Sequence, residues 1–227
     1  STIIRTLLRT LSHDLSNTTQ VVLASAEFID ENASPEKVKK NVIRISNAAR
    51  SQAEIIRNAK ESYLVRGGGI IKVGPVDLAN CIKRVVDNFE LSLKHKNVTI
   101  TTEIEDRNLV VVAEKVSLMF QVLTNLIGNA IKFSHSGKVI QLRAAIAGDS
   151  VELCVQDEGI GMPGHILDRL FDENERVNRP GTEGEPGTGE GLLIVRDFVS
   201  AFGGTMKIES TVGKGTTIKI WFRRFRF

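Results

Sequence analysis

Two stretches of this chain repeat apolar or small residues at alternating steps of four and three, and three consecutive glycines then end the pattern. The first seam runs Ile4, Leu8, Leu11, Leu15, Thr18, Val22, Ser25, Ile29; the second runs Val38, Val42, Ile45, Ala49, Gln52, Ile56, Ala59, Tyr63. Such spacing keeps one narrow stripe facing a partner helix, so each stretch reads as a long helix packed in a bundle. Between them, Asp30 to Glu36 carries turn chemistry, with Ser34 as N-cap and Pro35 at the first helical position of the restart. The result is an antiparallel hairpin. Two helices bury little surface alone, which predicts a homodimer in which two hairpins complete a four-helix bundle.

Gly67-Gly68-Gly69 and Gly74-Pro75 bracket a change of character, so the sequence divides into a hairpin at residues 1–66, a linker at 67–75 and a second domain at 76–227. In that domain Asp77 to His95 reads helical, Val98 to Ile104 and Leu109 to Val112 read as strands, and Glu114 to Phe133 reads as one helix. Strands follow at Lys138 to Ala147 and Val151 to Gln156, the latter with Val151, Leu153 and Val155 on one face. A long irregular segment, a helix from Gly191 to Phe202, and a hairpin of Thr205 to Ser210 with Thr216 to Phe222 complete the pattern. The expected class is α+β: a helical hairpin followed by an α/β sandwich, with helices over a mixed sheet.

Composition removes several function classes. The formal charge of +3 is mild and its one dense basic cluster is Arg223, Arg224 and Arg226, which reads as a solvated tail and argues against nucleic acid. Cys81 and Cys154 lack metal-type spacing, which fits a reducing compartment and packing roles. No run of about 20 apolar residues and no signal peptide is apparent, so the chain reads as soluble. The first seam begins in mid-pattern, which suggests an upstream segment and leaves membrane contact to that segment alone.

The chemistry concentrates in three places. Asn125 and Asn129 are four apart on one helix face, where uncharged amide oxygens can complete the shell of a magnesium ion already neutralised by phosphates; Lys132 lies one turn further on. Asp157 follows directly on a strand of buried character, where a carboxylate can accept from an adenine amino group while Gly159 and Gly161 let the backbone approach the ring. Gly187-Thr188-Gly189-Glu190-Gly191 leads into a helix whose first N–H groups favour phosphate. Each feature alone is common, as surface asparagines or ordinary turns. Their order along one domain is not.

With these residues in view, the chain resembles the catalytic core of a two-component sensor histidine kinase over almost its whole length. Ser12-His13-Asp14-Leu15 is similar to that family's phosphoacceptor box, Asn125 to Ser134 to its asparagine box, and the two glycine blocks to its glycine boxes. The resemblance implies a dimerisation and histidine phosphotransfer hairpin hinged to a Bergerat-type ATP-binding domain. It further implies that Asn129 helps hold magnesium, that Asn125 and Lys132 contact ATP phosphates, that Phe133 flanks the base and Asp157 reads it, and that Met162 to Pro186 forms a mobile lid. The implied partner is a response-regulator receiver domain, with Asn17 at the family's phosphatase position and a cytoplasmic location. The helical pattern supports part of this independently: His13 falls opposite the Leu8, Leu11, Leu15 and Thr18 seam, within reach of another domain. Asp14 beside it can hold one ring proton while the other nitrogen attacks.

Three departures stand out: Thr18 where many relatives have proline, Glu190 where leucine is usual, and a lid that matches only at Phe171. Two rivals follow from the same residues. One is a histidine phosphotransferase relay with a degenerate ATP domain. The other is an ATPase of the gyrase or mismatch-repair type, which uses a carboxylate where Gln121 and Asn125 stand here. The remaining histidines, His95, His135 and His165, and the charges of Lys94 to Lys96 and Glu183 with Glu185, read as exposed.

Overall fold

The computed structural model describes residues 15–16, 18–29, 34–66, 71–105, 109–172, 179–185 and 189–226. The chain divides into two compact units, Ser1–Gly69 and Ile70–Phe227.

In the first unit, α1 includes residues 18–27 and α2 is an unbroken helix over Pro35–Arg66. Ser34 caps α2: its hydroxyl accepts from the N–H of Lys37 at 3.3 Å and its carbonyl from Val38 at 2.9 Å. The two helices run antiparallel, with Lys37 over the Phe28 ring near the turn and Gln52 donating to Thr19 at 2.6 Å further along. Along α1 the expected seam holds, Ser25 being buried and Val22 and Ile29 half-buried. On α2 the expected seam holds in part: Val38, Ile45 and Gln52 are half-buried, but Asn41 and Ala48 are buried in place of Val42, which is 52% exposed, and Ala49, which also faces out. Small and polar residues are thus the most buried of the hairpin, and Val21, Leu23, Phe28, Val42 and Ile43 are left exposed in a single copy.

The second unit begins earlier than its composition suggests. Gly74 and Pro75, assigned by sequence to the linker, belong to β1 (Gly74–Asp77), which pairs antiparallel with β3 (Val110–Ala113). After β1 come α3 (Leu78–Asn88), α4 (Glu90–Lys96) and β2 (Thr99–Ile104). The single helix expected over Asp77 to His95 breaks at Phe89, whose ring lies beside Gly128, 3.6 Å from where a Cβ would stand. No glycine or proline announces that break.

The helix expected over Glu114 to Phe133 is continuous but not uniform. Glu114 caps it, its carboxylate accepting from the N–H groups of Val116 and Ser117 at 3.0 and 2.7 Å and from the Ser117 hydroxyl at 2.6 Å. Burial raises its pKa, but these hydrogen bonds outweigh it and hold the carboxyl below its ordinary value. From α5 (Lys115–Ser117) the chain passes through a π turn, Leu118–Leu123, into α6 (Thr124–Phe133). Wide turns of this kind recur at functional sites. The window Lys115–Phe133 is, by length and composition, apolar enough to cross a membrane, against the reading of the bare sequence; it is 56% buried within the domain, as a core helix is.

Four more strands follow: β4 (Val139–Ala147), β5 (Ser150–Asp157), β6 (Thr205–Thr211) and β7 (Gly215–Arg223). With β2 they form a mixed sheet in the order β2-β4-β5-β7-β6, parallel between β2 and β4 and antiparallel elsewhere. Register aligns Leu142 with Val155, Val155 with Ile218 and Leu153 with Ile220, all buried, so one face of the sheet is a continuous apolar layer. On it pack α6 and α8 (Gly191–Ala201), with Leu126, Ile127, Val195, Phe198 and Val199 buried. Each such fully buried side chain contributes roughly 1.5 to 3 kcal/mol. The opposite face carries Arg143, Glu152, Gln156 and Lys219. Beyond β7, Arg224 bridges to Val111 and Phe225 donates to Val110 at 2.8 Å, tying the chain end to β3.

Candidate functional site

The C-terminal end of β5 delivers Asp157 into the domain at 8% exposure. One of its oxygens, Oδ1, accepts from the N–H of Gly159 at 2.9 Å and of Thr216 at 3.2 Å. Burial pushes the carboxyl up from 3.8 to about 6, and those two N–H groups offset only part of the shift. A half-desolvated acceptor fixed from the backbone suits the amino edge of a base. Thr216 had no signal in the sequence, since its contribution is a backbone N–H brought by strand pairing.

Glycine is obligatory around Asp157 for steric reasons. A side chain on Gly159 would overlap the Phe133 carbonyl, and Gly161, at φ 61°, lies against the Thr211 backbone. The first glycine block is thus wedged between two elements: Ile160 donates to the Phe133 carbonyl at 3.1 Å, and Gly213 donates to the Ile160 carbonyl at 2.9 Å. Phe133 itself is half-buried, with Lys132 Nζ 4.9 Å and the Arg179 guanidinium 6.0 Å from its ring centre. Arg179 also donates to the Gly161 carbonyl at 2.9 Å. Asp157, Gly159, Gly161 and Phe133 therefore meet at one place, with Arg179 added to the set that the sequence supplied.

At the other end of α6, Asn125 and Asn129 share a face that converges on Gly191 of α8. A Cβ there would stand 3.1 Å from Asn125 Oδ1 and 3.6 Å from Asn129 Nδ2. The Asn125 amide is oriented by its own helix, donating to the Gln121 carbonyl at 2.6 Å, which leaves the oxygen toward α8. Gly189, at φ 72°, supplies the left-handed step that leads into α8. Gly187 and Thr188 lie outside the described residues, as do His13, Asp14 and Asn17.

Neutral amide oxygens beside a helix N-terminus fit a magnesium ion that brings its own phosphate ligands, since the ion's charge is met by those phosphates rather than by protein carboxylates. Among the described residues no group of three or more His, Cys, Asp or Glu is placed to hold a metal ion.

The segment expected to be a lid from Met162 to Pro186 is not irregular throughout. It contains α7 (Gly164–Arg169), and residues 181–185 form a closed turn docked on the end of α6. There the sequence reading fails in one respect: Lys96 is 4% exposed and its Nζ donates to Glu185 Oε1 and to the Lys132 carbonyl, each at 2.5 Å. Neither charge is simply solvated. His95, His135 and His165 are exposed.

Residues 114–226 match the model of the family described as histidine kinase-, DNA gyrase B-, and HSP90-like ATPase. The chain is 28% identical over 211 residues to sensor histidine kinase AtsR of Burkholderia thailandensis, covering 91% of this chain and 35% of that protein. It is 33% identical over 145 residues to sensor histidine kinase WalK of Bacillus subtilis, covering 63% of this chain and 23% of that one. The chain thus spans about a third or less of these relatives' lengths. In fold it is similar to Acinetobacter baumannii histidine kinase AdeS, with a TM-score of 0.68 at 21% identity over 96% of this chain and 98% of that one. It is also similar to histidine kinase ThkA, solved in complex with response regulator protein TrrA, with a TM-score of 0.69 at 18% identity over 99% and 62% of the two chains. Residues 114–226 thus belong to the histidine kinase-, DNA gyrase B-, and HSP90-like ATPase family, and the sequence relatives and fold neighbours together support a two-component histidine kinase catalytic core.

Proposed function

We propose that the second unit binds ATP with magnesium and that the γ-phosphoryl group passes from ATP to His13. The observation that carries this reading is the placement of two kinds of recognition at the two ends of α6. Asp157, Phe133 and the first glycine block come together at its C-terminal end; Asn125 and Asn129 face Gly191 toward its N-terminal half. Asp157 would read adenine, Asn125 and Lys132 would bind phosphates, Asn129 would help hold magnesium, and Gly187 to Gly191 would meet the triphosphate. Bound magnesium supplies charge neutralisation on the phosphates.

The chain's own groups then position the reactants, which is most of what phosphoryl transfer requires. A lone pair on one His13 ring nitrogen attacks the γ-phosphorus in line with the bridging oxygen, whose bond breaks to release ADP. Asp14 takes the proton of the other ring nitrogen in a hydrogen bond and stabilises the cation formed on attack. Phosphohistidine would pass its phosphoryl group to a response-regulator aspartate, a partner class that the complex of ThkA with TrrA supports. Asn17 would orient water toward the regulator's acyl phosphate as a phosphatase. Residues 1–66 would serve as the dimerisation and phosphotransfer hairpin, 67–75 as the hinge region and 76–227 as the catalytic domain. Homodimerisation is supported by Val21, Leu23, Phe28, Val42 and Ile43, about half exposed in one copy.

The experiment is incubation of the chain with magnesium and γ-labelled ATP beside a His13→Ala variant, scoring acid-labile, alkali-stable label. Label on the parent alone establishes transfer to His13. Absence of label on both, together with absence of ATP binding, would leave only a phosphotransfer relay.

A further inference from the structure

The carbonyls that end a helix need partners from outside it. In α6 those partners are unusual. The carbonyl of Lys132 accepts from Lys96 Nζ at 2.5 Å and from the Thr182 N–H at 3.1 Å, and the Ser134 carbonyl accepts from the Thr182 hydroxyl at 2.8 Å. Lys96 sits at the end of α4, 36 residues earlier in the chain, and is 4% exposed. A cation so buried must be paired, and here it meets both the negative end of the α6 dipole and the Glu185 carboxylate.

Glu185 completes a closed turn. Its second oxygen accepts from the Glu183 N–H at 2.8 Å, its carbonyl accepts from the Gly181 N–H at 2.9 Å, and Gly181 has no room for a side chain against Lys132 and Glu185. Burial alone would raise its pKa, yet the hydrogen bond from Lys96 and two backbone N–H groups bring it below the ordinary value. The same short segment begins with Arg179, which stands over the Phe133 ring and holds the Gly161 carbonyl. One ion pair therefore fastens a segment that touches Lys132, Phe133 and Gly161 at once, immediately before the second glycine block.

We infer that Lys96 is a positioning residue for the nucleotide: its pair with Glu185 latches residues 179–185 onto the end of α6 and thereby sets the affinity for ATP. The inference rests on the nucleotide reading above and extends it to a residue that does not itself touch ATP. Loss of the latch frees Arg179 from Phe133 and leaves the Lys132 carbonyl without its charged donor, so the base corner loosens before the asparagine end does.

The test is calorimetric titration of the full chain with ATP and magnesium, with hydrogen exchange at residues 181–185 followed in parallel. Lys96→Met and Glu185→Gln are expected to weaken ATP binding roughly tenfold and threefold or more, with faster exchange at the loop. The double variant is expected to be no weaker than Lys96→Met alone, and Lys96→Arg to restore affinity to within about threefold, because a guanidinium can serve both acceptors. Glu185→Gln keeps an amide in place and decides the matter should Lys96→Met fail to fold. Faster exchange with unchanged ATP affinity would reduce the pair to a structural staple, and additive effects or no recovery in a folded Lys96→Arg would overturn the latch. A parent chain that binds no ATP would overturn the nucleotide reading together with this inference. One that binds ATP but takes no label on His13 would overturn the transfer reading alone.

Discussion

Gly191 and Asn125 face each other so closely that a methyl group on Gly191 would stand 3.1 Å from the Asn125 side-chain oxygen. Gly191 is the first residue of α8 and does not need a left-handed backbone, so alanine there satisfies the helix and is expected to leave stability unchanged or raise it by up to about 1 kcal/mol. The crowding falls on Asn125 instead. Gly191→Ala should weaken ATP binding several-fold while the melting midpoint holds, and a variant that loses stability with ATP affinity intact would place the constraint in the fold.

If Asp157 reads adenine as proposed, ATP binding should be sensitive to acid. With its carboxyl pushed up to about 6 before ligand arrives, only the ionised fraction offers adenine a full acceptor, so affinity should fall about tenfold between pH 7 and pH 5. Asp157→Asn should remove this dependence and cut the preference for ATP over GTP. Titrations of parent and variant across that range check it.

The same residue affects stability in the opposite sense. A carboxyl whose pKa is raised on folding binds its proton more tightly in the native state, so native stability declines as pH rises from about 4 to about 6 and the full cost is present above that. Asparagine keeps both backbone acceptor bonds without the charge. Asp157→Asn is therefore expected to stabilise the domain by up to about 3 kcal/mol at pH 7.5 and by nothing near pH 3.5, measured by urea unfolding at the two values.

Gly161 has no such latitude. Its φ of 61° disfavours a side chain, and a Cβ would overlap the Thr211 carbonyl. Gly161→Ala should cost about 3 kcal/mol or more in unfolding free energy, well beyond an exposed left-handed glycine such as Gly148, where a Cβ meets open space.

Ser134 gives a contrasting case. Its hydroxyl is wholly buried and has no hydrogen-bond partner among the described residues. Ser134→Ala is expected to be neutral or stabilising by up to about 1 kcal/mol, since it removes a desolvated group that gains nothing. A loss of more than that in thermal unfolding would show that the hydroxyl holds an ordered water.

The positions of the candidate residues were legible in the sequence wherever helix period or a strand end fixes them. Asn125 with Asn129, and Asp157 with Gly159, could be named because helix period and strand end place them without reference to the rest of the chain. Lys96 could not. Beside Lys94 and His95 it looked like one of three solvated charges, and only α4 packing on α6 buries it against a carboxylate 89 residues away. Phe89 shows the same limit, since the helix breaks there, with its ring against Gly128 of another element, and no turn residue marks the place. On α2 the four-three rhythm placed Val38, Ile45 and Gln52 correctly but chose Val42 and Ala49 over Asn41 and Ala48, because an apolar residue was preferred to the asparagine that the helix buries.

The strand that receives the chain from the linker, β1, pairs with β3 alone, in a sheet distinct from the one whose central strand ends at Asp157. Tension arriving along that linker would load a ladder of four residues first and reach the five-stranded sheet only through β3, by its bridge to Arg224 beyond β7. The proposed nucleotide site would in this sense be buffered from the tether. Pulling on residue 71 in a force measurement should unzip β1 in a first small step while ATP remains bound.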